Sequence, residues 1–469
     1  MSGKNRITES ELVARVDGAP FGEKTKALAR KAARYESFGG VCWGLFPATP
    51  VIERGSGSLL YDADGREYID LLSGFSVSNL GNCDARVTEA IREQAGTLTH
   101  FFDFPHPQRI KLAERLCALA GIRGGEAKVL FGTTGSDGVE NAVRAVRFFT
   151  GKPYILVAKG DYHGATFGTT GLTSRAGINA TFFPGGADSR VGFFGFPHVY
   201  RAGLSEYGGY GMEALDELER GLSGTFSPYS DGYGHQNVAA VLAEPFQSAS
   251  GYYIPPREYL QRLRQICDKH GLLLILDEVQ TGLGRTGRLW AYEHSAIEPD
   301  VIVASKTLGG GLPLSAVVAR AEILSQWTPT AHLNTQAGNA VACAAANAVL
   351  DAITSPGFLD GVNARGAYFK AGLDRLAEKH PSLGYIDHQG MYLSLEFVSD
   401  REKKTPAVEL VSAIRAAALR GGLLLDHGGY YGNRIPLIPA LNMPDALIDR
   451  ALDGLDQAIG EASGQGGRR

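Results

Sequence analysis

Apolar residues gather in short unbroken runs through the middle of the chain. The clearest are KVLF (Lys128 to Phe131), YILVA (Tyr154 to Ala158), AAVLAEP (Ala239 to Pro245), LLLILDEV (Leu272 to Val279) and VIVASK (Val301 to Lys306). A short apolar run without alternation predicts a strand covered on both faces, as in a parallel sheet. Amphipathic helical stretches lie between the runs, for example GVENAVRAVRFF (Gly138 to Phe149). Strands alternating with helices predict a large α/β domain with a mainly parallel sheet over residues 81–355.

The flanks read differently. Residues 1–37 form an extension, in which KTKALARKAARY (Lys24 to Tyr35) is an amphipathic helix packed on the body or on a second copy. Residues 38–80 contain YDADGREYIDLLSG, a hairpin with its turn at Asp64-Gly65. Residues 356–460 mix helices with strands such as MYLSLEFV (Met391 to Val398). This predicts a smaller α+β domain completed by the N-terminal hairpin. Ser227 to His235 reads as a surface loop, and residues 461–469 as a frayed tail.

In open parallel sheets ligands sit outside the carboxyl ends of the strands. Each run above carries polar groups there. LLLILDEV holds Asp277 near its end and VIVASK closes on Lys306, so both side chains should project into one crevice. A carboxylate and an amine so placed suit pyridoxal 5'-phosphate. The lysine forms a Schiff base with the aldehyde and the aspartate keeps the ring nitrogen protonated. Val279, two residues after Asp277, faces the same side and can pack on the ring.

The other strand ends add to this. KVLF runs through GTTGSDG into a helix, placing Gly135 and Ser136 where backbone N–H groups and a hydroxyl can meet a phosphate. YILVA leads to Tyr162 and His163, an aromatic pair able to stack on a flat ring. AAVLAEP carries Glu244, suited to a substrate cation or an arginine, with Gln247 three residues on as a donor to the phenolic oxygen. Taken singly, each feature has an ordinary structural explanation, such as an ion pair, a helix cap or a solvated loop. GLGRTG (Gly282 to Gly287) matches a dinucleotide fingerprint, but Asp277 and Glu278 intrude between strand and glycines.

Composition narrows the class without changing this picture. The chain of 469 residues is 44% hydrophobic and 20% charged, with a net charge of -4. That balance is ordinary for a globular protein and gives no reason to expect nucleic acid or an anionic membrane surface. Five scattered cysteines without a C-x-x-C fit reduced thiols in a cytoplasm. No H-E-x-x-H or Cys/His cluster suggests a metal.

Together, the stretches GSGSLLYDADGREYIDLLSG, TTGSDGVENAVRAVR, YHG, EPFQ, LDEVQTGLGRTG, SKTLGGGLPLSAVVAR and TQAGNAVACAAANAVL resemble the class III aminotransferases, pyridoxal phosphate enzymes of fold type I. The resemblance spans about Pro50 to Ile459. It implies a homodimer with shared active sites and an ω-amino acid type of transamination. It places the Schiff-base lysine at Lys306, the pyridine partner at Asp277 and the ring stack at Tyr162. Gly135 and Ser136 match the phosphate loop, and Thr335 matches a threonine that reaches the phosphate of the other subunit. Gln247 matches the residue near the phenolic oxygen, and Glu244 the acid on the substrate side. A racemase or epimerase on the same scaffold is the alternative activity. Trp43, Glu244 and Arg434 are the candidate substrate contacts.

The chain departs from the family pattern in places. GNCDA (Gly81 to Ala85) replaces G-H-x-H-P, Gln336 an aromatic, and Ala340 a proline. Pro436 stands where the family has a carboxylate-binding arginine. A proline cannot offer a bidentate pair of N–H donors. The expected substrate is therefore an amino sugar or another unusual primary amine, unless Arg434, two residues away, clamps the acid instead.

Overall fold

The computed structural model describes residues 8–37, 48–174, 190–204, 210–223, 229 and 236–464. Its centre is a seven-stranded sheet in the order Ala127–Gly132, Ser315–Arg320, Val301–Ala304, Leu273–Asp277, Val238–Ala243, Tyr154–Ala158, Val191–Phe194. Every pairing from Val301–Ala304 to Val191–Phe194 is parallel. Ser315–Arg320 runs antiparallel to both of its neighbours. The two innermost parallel strands are buried at every position, which is why their text is unbroken and apolar.

Two strands, Val191–Phe194 and Ser315–Arg320, are absent from the apolar runs read above. The first has Gly192 in its middle and lies at the sheet edge. The second opens on Ser315 and ends on Arg320, so its apolar stretch is short.

Helix Gly135–Thr150 covers one face of the sheet with Val139, Ala142, Val143 and Val146. Thr134 caps it by accepting the Asp137 N–H at 3.1 Å. The helix stops at Gly151, whose φ of +68° suits glycine.

Two smaller sheets flank the large one. Ile52–Ser56, Leu59–Asp62 and Glu67–Asp70 form an antiparallel set that Leu423–Leu424 extends in parallel. Leu383–Gln389, Tyr392–Asp400 and Thr405–Pro406 form the other, with Arg434–Leu437 paired to Tyr392–Asp400. Phe369, Leu393, Phe397, Ile435, Leu437 and Leu455 share its core.

The N-terminal extension comprises two helices, Glu9–Asp17 and Glu23–Tyr35, which bury Leu12, Val16, Ala29 and Ala33 between them. Asp64, at the hairpin turn, accepts the N–H groups of Lys24 at 3.1 Å and Thr25 at 2.8 Å. That bond pair docks the extension on the hairpin. The last helix, Asp445–Ala462, takes in Glu461 and Ala462, so these two residues are helical and not part of a frayed tail as expected. Of Ser227 to His235, all but Tyr229 lie outside the described residues. Among the described residues no single helix is long and apolar enough to cross a membrane.

Arg434 belongs to this frame. Its side chain is 0% exposed and pairs with Asp387 and, at 3.5 Å, with Glu396. Arg201 Nε donates to the same Glu396 at 2.6 Å. The Arg434 guanidinium also lies over the Tyr253 ring, 4.1 Å from its centroid. Two cations and two carboxylates thus balance in a buried cluster between the large sheet's connections and the Tyr392–Asp400 sheet. Burial, with Arg434 and Arg201 close by, pushes the neighbouring His198 down to about 3. Arg434→Ala would leave two buried carboxylates short of a partner. The expected loss is about 3–5 kcal/mol in a urea titration. A loss under about 1 kcal/mol, typical of an exposed pair, would contradict this placement.

Candidate active site

Five strand ends of the large sheet open on one crevice, because parallel strands finish on the same side. Gly135, Ser136, Tyr162, His163, Glu244, Asp277, Val279 and Lys306 line it together. Gly164, Ser248 and Gln280 complete the lining.

Lys306 follows Val301–Ala304 and takes a left-handed backbone, φ +45°. An L-residue is strained there, and such strain collects at functional positions. Its amine donates to the Gln280 side-chain oxygen. Burial pushes the Lys306 amine down to about 8, although Glu244 and Asp277 pull the other way and Arg285 adds to the depression.

Asp277 ends its strand nearly buried, and each carboxylate oxygen has a partner. Oδ1 accepts the Val279 N–H at 3.0 Å and Oδ2 the His163 Nδ1–H at 2.8 Å. Asp161 Oδ2 lies 3.7 Å from Nε2 of the same imidazole. The His163 imidazole is therefore held between two carboxylates, Asp277 and Asp161. Tyr162 lines the crevice, and its N–H donates to Glu244 Oε2 at 3.0 Å. Glu244 also accepts from the backbone and hydroxyl of Ser248. Burial, then the nearby Asp161 and Asp277, raises the Glu244 carboxyl well above its ordinary range.

Gly135 opens the helix that points its first-turn N–H groups at the crevice. A Cβ at Gly135 would stand 2.9 Å from Val279 Cγ1, so only glycine lets these two walls approach. Gly164, at φ +127°, leaves room for the Ser136 hydroxyl, which a Cβ there would strike at 2.1 Å.

Three expected residues are not among the lining of this crevice, and a fourth is undescribed. Gln247 is fully buried beside it, with Nε2 donating to the Lys159 carbonyl at 2.7 Å and to Asp161 at 2.8 Å. Gln280, three residues after Asp277, is the amide that meets the lysine amine. Arg434 is buried in its ion cluster with Asp387 and Glu396, outside the crevice lining. Thr335 is exposed on a loop outside the crevice of its own chain. The neighbouring Asn334 ties that loop to Asp137 at 3.0 Å, in the first turn of the helix at the crevice. Trp43 lies outside the described residues. Gln280 and Asp161 were legible only as neighbours of known positions, in DEVQ and in GDYHG.

The residues present fit pyridoxal phosphate. One end of the crevice offers helix N–H donors for a phosphate. The middle offers an aromatic face and Val279. The far wall offers a carboxylate held by two donors and an amine made nucleophilic by burial. Arg285, from the GLGRTG stretch, plays a structural part. It donates to the carbonyls of Met391 at 2.9 Å and Pro439 at 2.6 Å.

Comparison with known proteins agrees with the fold and with the cofactor. The family model for class III aminotransferases matches residues 46–459. A 5-aminovalerate aminotransferase of Pseudomonas aeruginosa is 36% identical over 88% of this chain and 93% of its own. A leucine/methionine racemase of Thermococcus litoralis is 35% identical over 86% of this chain and 88% of its own. An amine transaminase from an uncultivated Pseudomonas species, solved in its pyridoxal phosphate-bound form, superposes with a TM-score of 0.79. It is 29% identical and is matched over 89% of this chain and 96% of that one. The chain belongs to the class III aminotransferases, pyridoxal phosphate-dependent enzymes of fold type I.

Proposed function

We propose that this enzyme moves an amino group from a primary amine other than a simple α-amino acid to an oxo acceptor, with Lys306 and Asp277 as its catalytic residues. The observation that carries this is the depressed Lys306 amine sharing one crevice with the twice-held Asp277. Pyridoxal phosphate, when bound, supplies an aldehyde that captures amines and a ring that withdraws electrons.

Lys306 would hold the cofactor through its aldehyde, and its amine, when free, would move a proton as general acid and base. Asp277 would hold a proton on the pyridine nitrogen, an ion pair worth on the order of 4 kcal/mol at about 4 Å and an effective dielectric of about 20. Its two hydrogen bonds keep the carboxylate aimed. Tyr162 and Val279 would contact the ring, and the first turn at Gly135 and Ser136 would receive the phosphate. Thr335 serves the phosphate of a second copy in a homodimer. Its exposed position, two residues from the exposed Leu333, supports a partner surface there. A monomeric mass at assay concentration, with full activity, would end the dimer reading.

The substrate side lacks a guanidinium among its described lining residues. Pro436 pairs across to Ser394 within a buried strand. With Arg434 spent, nothing in the described crevice clamps a carboxylate in a bidentate fashion. An amino sugar or a bulky primary amine fits such a wall. A racemase is the second reading, favoured by the likeness to the leucine/methionine racemase. It uses the same lysine but needs no oxo acceptor.

Two outcomes are expected. In half-reactions with glutamate, alanine and a panel of carboxylate-free amines, an amine without a carboxylate should react fastest and bleach the cofactor's visible band lastingly. Fastest reaction with a simple α-amino acid would contradict the substrate reading. Loss of optical activity without lasting bleaching would favour the racemase. The second outcome concerns pH. Only the neutral amine attacks an aldehyde, so a lysine at about 8 gives uptake that rises below that pH and is level above it. Cofactor-free protein should take up pyridoxal phosphate roughly tenfold faster per pH unit on the rising limb. A rise continuing toward an ordinary lysine value near 10.4 would refute the depressed amine.

A further inference from the structure

Tyr252 stands behind the crevice, buried and outside its lining. Its backbone is left-handed, φ +58°, a conformation that a residue with a Cβ adopts only when its surroundings compel it. The hydroxyl so placed is 3.0 Å from Gln280 Nε2. The oxygen of the same amide accepts from Lys306 Nζ. The Tyr252 ring is braced by Tyr392, with centroids 5.2 Å apart, and the Tyr392 hydroxyl is itself anchored on the Gln247 carbonyl at 2.6 Å. A continuous path of contacts thus runs from Tyr252 through one amide to the lysine.

We propose that Tyr252 is a positioning residue that acts on Lys306 through Gln280, its hydroxyl supporting the amide in either of two orientations. This rests on the reading that Lys306 holds the cofactor. An amide has a donor end and an acceptor end. Facing an ammonium, Gln280 must present its oxygen, and its NH2 must be taken up at the back. Tyr252 accepts it, as the structure shows. Pyridoxal carries its phenolic oxygen next to the aldehyde carbon. A lysine that holds the aldehyde therefore brings that oxygen beside the atoms Gln280 already touches. An amide oxygen aimed at a phenolate is repelled, so the NH2 turns inward and the oxygen outward. Tyr252 then donates to it. A hydroxyl does both because it is donor and acceptor at once. A phenylalanine ring of the same shape does neither.

Other charged groups act on the same atoms. Glu244, Asp277 and Arg285 face Lys306, while Arg285 and Tyr392 face Tyr252. A change confined to the Tyr252 oxygen leaves all of them in place.

The experiment titrates the visible absorption of the holoenzyme with pH in wild type, Tyr252→Phe, Gln280→Ala and the double variant. Donation to the phenolate counts most once the neighbouring lysine nitrogen has lost its proton. Removing it favours the protonated form and raises the midpoint. Tyr252→Phe should raise it by about half a unit to one unit, the scale of one lost hydrogen bond. Gln280→Ala should raise it at least as far, and adding Tyr252→Phe to Gln280→Ala should add nothing. Should the Phe variant not fold, Tyr252→Leu gives the same comparison. An unmoved midpoint, or a Phe effect that persists without Gln280, overturns the proposal. A wild-type protein whose band sits on another lysine removes the Lys306 reading and this inference together. A band on Lys306 with an unmoved midpoint removes this inference alone.

Discussion

Burying an ionisable amine beside ionisable carboxylates is costly, and the architecture around Lys306 answers that cost. Desolvation pushes the amine toward its neutral form and the carboxyls toward theirs. The groups stay usable because each has a fixed partner. Asp277 has two donors, Glu244 has the Tyr162 and Ser248 groups, and Lys306 has Gln280. Those partners are in register only because parallel strands end together. The sheet, with both faces covered, is thus what allows an amine of depressed affinity for protons to sit opposite an oriented carboxylate. That pair is the chemical requirement of a pyridoxal phosphate enzyme.

The same physics operates where no chemistry is done. Arg201, Arg434, Asp387 and Glu396 form a buried set whose members compensate one another. Arg285 is buried with backbone carbonyls and side-chain oxygens around it. All three arginines join segments distant in sequence, so they lock the frame that holds the crevice. Arg434 cannot serve this lock and also leave it to bind an acid. Pro436 has no guanidinium of its own, and Arg434 on the same strand is held in this cluster.

How much of this was legible depends on whether local pattern or tertiary context decides each position. Strands covered on both faces leave unbroken apolar text, so Val238–Ala243 and Leu273–Asp277 were readable. Gly192 and the polar ends of Ser315–Arg320 hid two others. Asp277 and Lys306 were readable because strand-end position follows from strand existence. The amides were not. Gln247 lies three residues after Glu244, and Gln280 three after Asp277, at the end of the adjacent strand. Identical spacing cannot say which turns toward the lysine. Asp161 takes up Gln247 and Tyr252 holds Gln280, and both partners come from other segments. Arg434 misled for a related reason. Alternation puts it on the face of Pro436, but its strand is buried throughout, and two acids from other strands claim it.

The central claim is that Lys306, and no other lysine, holds the cofactor. Borohydride reduction of the yellow holoenzyme fixes the pyridoxyl group wherever it is attached, and peptide mapping by mass spectrometry locates it. The account predicts a single modified peptide carrying the group on Lys306, and none in Lys306→Ala. A pyridoxyl group on any other lysine in the wild-type protein would contradict it.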